Sequence, residues 1–121
     1  MLGCSMLRFH LTRYWFDRFK NGFKAIEYRV ANARNSRMLK KVLDKYGFSL
    51  SGVLCLLKCD IPCKLYCGYP KSTDLDRVLI GRVVMVKLVP LSCLPKVEEE
   101  FFIRSGIDDS KTLFYAFRVE F

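Results

Sequence analysis

The chain has 121 residues, a length typical of one domain, and 51% of them are hydrophobic, which excludes an intrinsically disordered protein. Its formal charge is +9, and residues 1–45 contain eleven of the 21 Lys and Arg but only three of the 12 Asp and Glu. Charge of one sign on one segment indicates a polyanionic partner, a membrane surface or an import receptor.

Two further features bear on the cellular location of the chain. The longest uncharged run, residues 46–57, is too short for a transmembrane helix. Arginines interrupt the only stretch that resembles a secretion signal, at Arg8, Arg13 and Arg18. We therefore expect an intracellular protein that is not secreted, in the cytoplasm or nucleus, with the mitochondrion as the alternative.

The first predicted element is a long amphipathic helix over residues 6–32. Its apolar residues recur at intervals of three and four, as on one face of a helix. They are Phe9, Phe16, Phe19, Phe23, Ile26, Val30 and Ala33. Basic residues flank this apolar stripe on both sides, and they are Arg13, Arg18, Lys20, Lys24 and Arg29. Gly22 is a weak point at which such a helix can kink.

A second helix is predicted over residues 36–46. Its apolar residues are Met38, Leu39, Val42, Leu43 and Tyr46. They lie about 150° from the first stripe on a helical wheel, so one straight helix cannot bury both sets. Asn32, Asn35 and Ser36 can cap the new helix, and Gly47 is suited to end it. The face opposite its apolar residues carries Arg34, Arg37, Lys40 and Lys41.

Residues 47–74 are interpreted as a cysteine-rich connector. The apolar run over residues 48–59 is compatible with a buried strand or a short helix, and periodicity does not decide between them. Pro62 breaks any helix that would continue through this region. Glycine, proline and other turn formers over residues 68–74 indicate a loop.

The last third of the chain is rich in strand-forming residues. Val78–Val89 is apolar and β-branched, which predicts a strand covered on both faces, with Gly81 as the site of a bulge. Residues 101–104 and 112–121 predict two more strands joined by a turn.

Together these elements predict a single α+β domain with two helices first and a mainly antiparallel sheet of three to four strands after them. Its parts are a basic helical segment over residues 1–46, the connector over residues 47–74 and a β-rich segment over residues 75–121.

Four cysteines follow one another at intervals of four residues: Cys55, Cys59, Cys63 and Cys67. Structural zinc sites use close cysteine pairs, and a bend near Pro62 would be needed to bring all four thiolates to one ion. The favoured interpretation is that these cysteines are reduced and packed in the core, so we expect no cofactor. A zinc site is the alternative, and disulfide or redox roles remain open.

Catalytic motifs are absent from the sequence. The single histidine, His10, has no acidic residue nearby in sequence to orient it, and no nucleophile elbow, P-loop or zinc-protease motif occurs. Paired aspartates at residues 74 and 76 and at 108 and 109 lie in predicted turns, where aspartate has a backbone role. We therefore expect a protein that is not an enzyme.

The charge pattern predicts a nucleic-acid-binding protein of the kind represented by viral accessory proteins and ribonucleoprotein subunits. It would contact RNA in preference to DNA, mainly through phosphates. The expected contact residues are Arg34, Arg37, Lys40, Lys41, Arg13, Arg18, Lys20, Lys24 and Arg29.

Two alternatives depend on the apolar surfaces, alone or together with the charges. One is an adaptor, host-interaction or assembly subunit that docks a protein partner or a second copy of the chain through the helix stripe or the sheet. The other is a subunit lying on an organelle membrane or another anionic membrane surface.

Overall fold

The computed structural model describes residues 6–54 and 56–121, and in this part of the chain three α-helices alternate with five strands. The strands are β1 (Leu7–Leu11), β2 (Ile26–Val30), β3 (Leu57–Cys67), β4 (Val78–Pro90) and β5 (Leu113–Glu120). The α-helices are α1 (Arg13–Lys20), α2 (Ala33–Lys45) and α3 (Lys96–Arg104). The predicted α+β class is confirmed, but the predicted order of helices first and strands after is wrong.

The five strands form one strongly curled, half-barrel sheet with the order β1-β3-β4-β5-β2. β1 pairs with β3 in parallel, and the other three pairings are antiparallel. The sheet is therefore mixed and larger than the three or four strands predicted. β1 and β2, which the sequence analysis placed in one helix, form its two edges.

The helix predicted over residues 6–32 is wrong, since this segment forms β1, α1 and β2. In β1 the buried side chains Leu7, Phe9 and Leu11 alternate with exposed ones, which is the period of a strand. α1 has only eight residues and ends before Gly22, whose φ of 79° is left-handed. Strand and helix side chains enter the same core, and together they imitate the spacing of one helix face.

The second predicted helix is confirmed in its main part, since α2 spans Ala33–Lys45. It begins three residues earlier than predicted because Asn32 is the N-cap: its side-chain oxygen accepts a hydrogen bond of 2.8 Å from the backbone N–H of Asn35. Gly47, with a φ of 80°, follows its C-terminus as predicted. The buried face of α2 carries Leu39, Val42 and Leu43.

Part of the predicted connector is the long strand β3, which lies second in the sheet and contains Pro62. The described pairing of β1 with β3 begins at Cys63, one residue after Pro62, so the missing N–H of this proline lies outside that pairing. The register of β3 against β4 is irregular just before it, between Lys58 and Ile61. Pro62 therefore lies where β3 pairs with β4 but, among the described residues, not with β1.

The strands predicted at residues 78–89 and 112–121 are confirmed as β4 and β5, but the strand predicted at residues 101–104 is wrong. Those residues form the last turns of α3, where Phe102 packs against Phe114 of β5 with ring centroids 4.6 Å apart. A short apolar run of four residues is compatible with a strand or with a helix. Here the run is helical, and its Phe102 packs on the distant Phe114.

Side chains cover the two faces of the sheet unequally. The face that bears the main core, here called the inner face, is covered by α1 and α2 through residues such as Phe16, Phe19 and Leu43. A smaller core around Leu91, Leu94 and Phe114 covers the opposite, outer face near β2 and β5, with a contribution from α3. The outer face of β1, β3 and the first half of β4 has no such cover in the described residues.

None of the helices within residues 6–54 and 56–121 combines the length and the apolar character needed to cross a membrane.

Gly81 has a packing role where the sequence predicted a bulge. The register irregularity of β4 against β5 lies between Val83 and Met85. A Cβ atom on Gly81 would lie 2.7 Å from the backbone oxygen of Glu120, closer than real contacts allow. Glycine therefore permits the close approach of β4 and the end of β5.

Replacing this glycine tests that explanation. Gly81→Ala should lower the free energy of unfolding by about 1–3 kcal/mol, because backbone atoms must move to admit the methyl group. Gly52→Ala is the matched control, since its Cβ would meet only a Leu57 methyl at 3.4 Å. Urea unfolding followed by circular dichroism measures both, and equal midpoints for the two variants would contradict the packing role.

Candidate nucleic-acid interface

Exposed basic side chains form a stripe along α2. The α2 stripe consists of Arg34, Arg37, Lys41 and Lys45, all of them exposed. At 100° per residue they fall within an arc of about 80°, opposite the buried face of the helix. None of the four forms an ion pair with any residue in the described ranges. The neighbouring Lys40 is different, because its Nζ lies 2.8 Å from a carboxylate oxygen of Asp44.

A groove of about 570 Å³ lies between α2 and β1. Arg37, Lys40 and Lys41 line it from the helix together with Asp44, the carboxylate partner of Lys40. Arg8 lines it from the strand. Met38 adds apolar surface between the charges. An anionic chain lying in this groove would meet cations from both walls.

The outer face of the sheet continues this basic surface from Arg8. In the register of the parallel pair, Arg8 lies opposite Lys64, and His10 lies opposite Tyr66. The inner-facing residues of β1 are buried, so the alternation of the strand turns Arg8 and His10 outward. Ile80 of β4 lies beside Lys64 in the sheet and is 70% exposed.

Three aromatic rings form a stacked column at the end of this surface. The ring centroid of His10 lies 4.8 Å from that of Tyr66 and 4.2 Å from that of Tyr69, with interplanar angles of 16° and 17°. His10 Nδ1 lies 2.7 Å from the Gly68 carbonyl, which can only accept, so Nδ1 carries the proton and donates. Tyr69 is 83% exposed.

Two of the three predicted contact residues on α1 interact with neighbouring side chains of the same helix. Arg13 lies 3.7 Å from Asp17 in an exposed ion pair, and Lys20 is exposed. The guanidinium of Arg18 lies 5.7 Å from the ring centroid of Tyr14, so part of its charge is engaged locally. α1 therefore contributes a weaker basic surface than α2.

Lys24 and Arg29, also predicted to contact nucleic acid, belong to an internal ion cluster. Lys24 Nζ lies 3.8 Å from Glu27 Oε1 and 3.6 Å from Glu98 Oε1, and the lysine side chain is only 7% exposed. Arg29 Nε donates a hydrogen bond of 2.9 Å to Glu27 Oε2. Both cations have carboxylate partners inside the protein, so they do not belong to the exposed basic surface.

Aromatic rings surround the ammonium group of this cluster. Lys24 Nζ lies 4.8 Å from the ring centroid of Trp15, 5.4 Å from that of Phe19 and 5.2 Å from that of Tyr28. Burial lowers the pKa of Lys24, although the nearby carboxylates oppose this effect. Burial likewise raises the pKa of Glu27, against the attraction of Arg29 and Lys24. A cavity of about 160 Å³ adjoins the cluster.

The structure does not bring the regularly spaced cysteines together. Cys59, Cys63 and Cys67 follow one another on the inner face of β3, at intervals of about 13 Å, and Cys55 lies outside the described residues. Burial raises the pKa of the Cys59 and Cys63 thiols to about 11, whereas zinc binds thiolates. No group of three or more potential metal ligands occurs in the described ranges. The three thiols are thus placed as small core residues.

Sequence reasoning missed the sheet part of this surface. His10 was considered only as a catalytic residue, and Lys64, Tyr66 and Tyr69 were assigned to the connector. One signal could have found β1: residues 7–11 alternate strictly between apolar and polar, which is the period of a half-buried strand.

Comparisons with known proteins gave no relative from which a function could be transferred. No family model, curated protein or solved structure matches the chain. Its function is therefore inferred from its own surfaces.

The ion cluster generates a prediction about stability. Lys24→Met should lower the free energy of unfolding by about 3 kcal/mol, because Glu98 loses its cation and Glu27 loses one of two. The exposed Lys20→Met is the matched control and should change it by less than about 0.5 kcal/mol. Chemical unfolding measures both variants.

The loss in Lys24→Met should shrink as the pH falls. A carboxyl whose pKa is raised in the folded state destabilises the fold as the pH rises through the interval above its ordinary value of 4.5. Unfolding midpoints measured from neutral pH down to about pH 5 should therefore converge with those of the unmodified protein. A constant difference across this range would contradict the assignment of buried carboxylates.

Proposed function

We propose that this protein is a non-enzymatic RNA-binding protein that holds its ligand mainly through phosphates, as an accessory protein or ribonucleoprotein subunit does. The α2 stripe is the observation that carries the proposal, because its four cations are exposed and form no ion pair within residues 6–54 and 56–121. Such cations bind phosphates and release condensed counterions, which favours association with any sequence.

The position of the stripe supports this function further. Arg34 to Lys45 span roughly 16 Å along the helix axis, enough for several consecutive phosphates. The groove beside the stripe adds Arg8 from the opposite wall. Exposed aromatic rings at the edge of the adjoining sheet favour a nucleic acid with unpaired bases, which is the usual target when proteins recognise RNA.

Burial of the first part of the predicted apolar stripe favours this proposal over the two alternatives. A protein-docking or membrane-surface role would use the apolar residues of one long helix. Phe9, Phe16 and Phe19 are instead buried in the main core, where neither a protein nor a lipid can reach them. Of the large aromatic residues in the stripe, Phe23 is exposed.

A salt titration with charge variants tests the proposal. Replacing Arg34, Arg37 and Lys41 together by Gln should weaken binding to a generic RNA oligonucleotide at low salt. It should also reduce the slope of log Kd against log salt by about 2, because three phosphate contacts are lost. Fluorescence anisotropy measured over a range of salt concentrations gives both quantities.

A matched control separates this surface from net charge. Lys96, Arg104 and Lys111 are exposed and lie in and after α3, and replacing these three by Gln changes the net charge equally. This variant should keep the affinity and slope of the unmodified protein. Absent or salt-independent binding, or an equal loss in the control variant, would overturn the proposal.

A further inference from the structure

We infer that the RNA is single-stranded where it is bound, and that one unpaired base stacks on Tyr69 at the open end of the column formed by Tyr66, His10 and Tyr69. This inference rests on the proposed function and names the class of ligand that the surface takes. It starts from the rings themselves, which are near-parallel, with centroids 4.8 Å and 4.2 Å apart.

The outer ring of the column offers a π-face to solvent. Tyr69 is 83% exposed although it stacks on His10, so it contributes little to the core. Every nucleobase has a π-face, and stacking on aromatic side chains is the usual way in which proteins hold unpaired bases without reading their sequence. A base on Tyr69 would be the fourth ring of the column.

The column is held in place before any ligand arrives. His10 Nδ1 donates to the Gly68 carbonyl at 2.7 Å, and the Gly68 N–H donates to the carbonyl of Leu11 at 2.8 Å. Arg77 Nη2 donates to the carbonyl of Cys67 at 2.7 Å, next to the same turn. These bonds fix the turn that carries Tyr69 against the ends of β1 and β3, so stacking on it requires little new ordering.

Cations lie beside the column on the same face of the sheet. Arg8 and Lys64 are direct neighbours across β1 and β3, one outward position before the pair His10 and Tyr66. Two residues along a strand span about 7 Å, so a nucleotide whose base lies near the column can place a phosphate near these cations. Arg8 also lines the groove beside α2, and the surface thus connects the rings with the α2 stripe.

The ring geometry requires a single strand. In an RNA duplex the bases are paired and stacked on one another, and proteins reach mainly the phosphates and the 2′-hydroxyls. A duplex could therefore contact the α2 stripe, but the bases inside it could not stack on Tyr69, because both of their faces are already covered. The arrangement predicts a preference for single-stranded RNA over a duplex of the same sequence.

The test compares binding of a labelled single-stranded RNA of about ten nucleotides with binding of its duplex, by fluorescence anisotropy. The unmodified protein should bind the single strand more tightly. Tyr69→Ala should weaken single-strand binding about tenfold without changing the salt slope, because a ring and no charge is lost. Tyr69→Phe keeps the ring and should bind like the unmodified protein.

Tyr14→Ala is the matched control, since this tyrosine is exposed on α1 and outside the column. It should leave both affinities unchanged. Tyr69 lies in an exposed turn, and circular dichroism of each variant verifies that the fold is intact.

These measurements distinguish a lack of base stacking on Tyr69 from a lack of RNA binding as such. If replacing Arg34, Arg37 and Lys41 by Gln lowers the affinity while Tyr69→Ala binds normally, base stacking is overturned and RNA binding stands. The same conclusion follows if the duplex binds as tightly as the single strand. If neither RNA binds at any salt concentration, both are overturned.

Discussion

The parallel pairing of β1 with β3 is the interaction on which both the core and the candidate interface depend. Its register joins Leu7 to Cys63 and continues to Leu11 and Cys67. These four residues and the pair Phe9 and Leu65 are buried on the inner face, so the alternate residues of both strands must face outward. A slip of one residue would exchange the faces, burying Arg8 and His10 and exposing the core residues of β1. Hydrophobic burial on one side of the strand therefore positions cations and rings on the other.

The curl of the sheet explains how the excess of positive charge is divided. Curling brings the two edge strands close enough for Arg29 Nη2 of β2 to donate to the carbonyl of His10 in β1, at 3.2 Å. Arg29 and Lys24 share Glu27, and Lys24 also meets Glu98 from α3. These two cations stabilise the closure of the fold, and their charges are balanced internally. Most of the exposed cations of the basic segment lie on α2. The segment therefore has a structural part, formed by Lys24 and Arg29, and a solvent-facing part on α2.

The sequence predicted those helices and strands whose signals lie within a short stretch of the chain. α2 has a capping asparagine at Asn32, a glycine at Gly47 and one coherent apolar face. The same periodicity predicted three of the four cations of the α2 stripe, with Lys40 in the place of Lys45. Residues 6–32 could not be predicted in this way, because a strand and a short helix bury side chains in one core and together imitate a helix. The column of rings depends on the contact between His10 and a turn 58 residues later, which no local pattern contains.

The proposed ligand, a single-stranded RNA, would lie on one continuous surface that runs from the α2 stripe through Arg8 to Tyr69. The most direct measurement is a ¹⁵N–¹H NMR titration of the protein with a short single-stranded RNA. If RNA lies on this surface, the backbone amides of Arg37, Lys64 and Tyr69 will shift together and saturate with one affinity, while those of α3 stay in place. Shifts confined to α3 and its surroundings, or none on the outer face of β1 and β3, would contradict it.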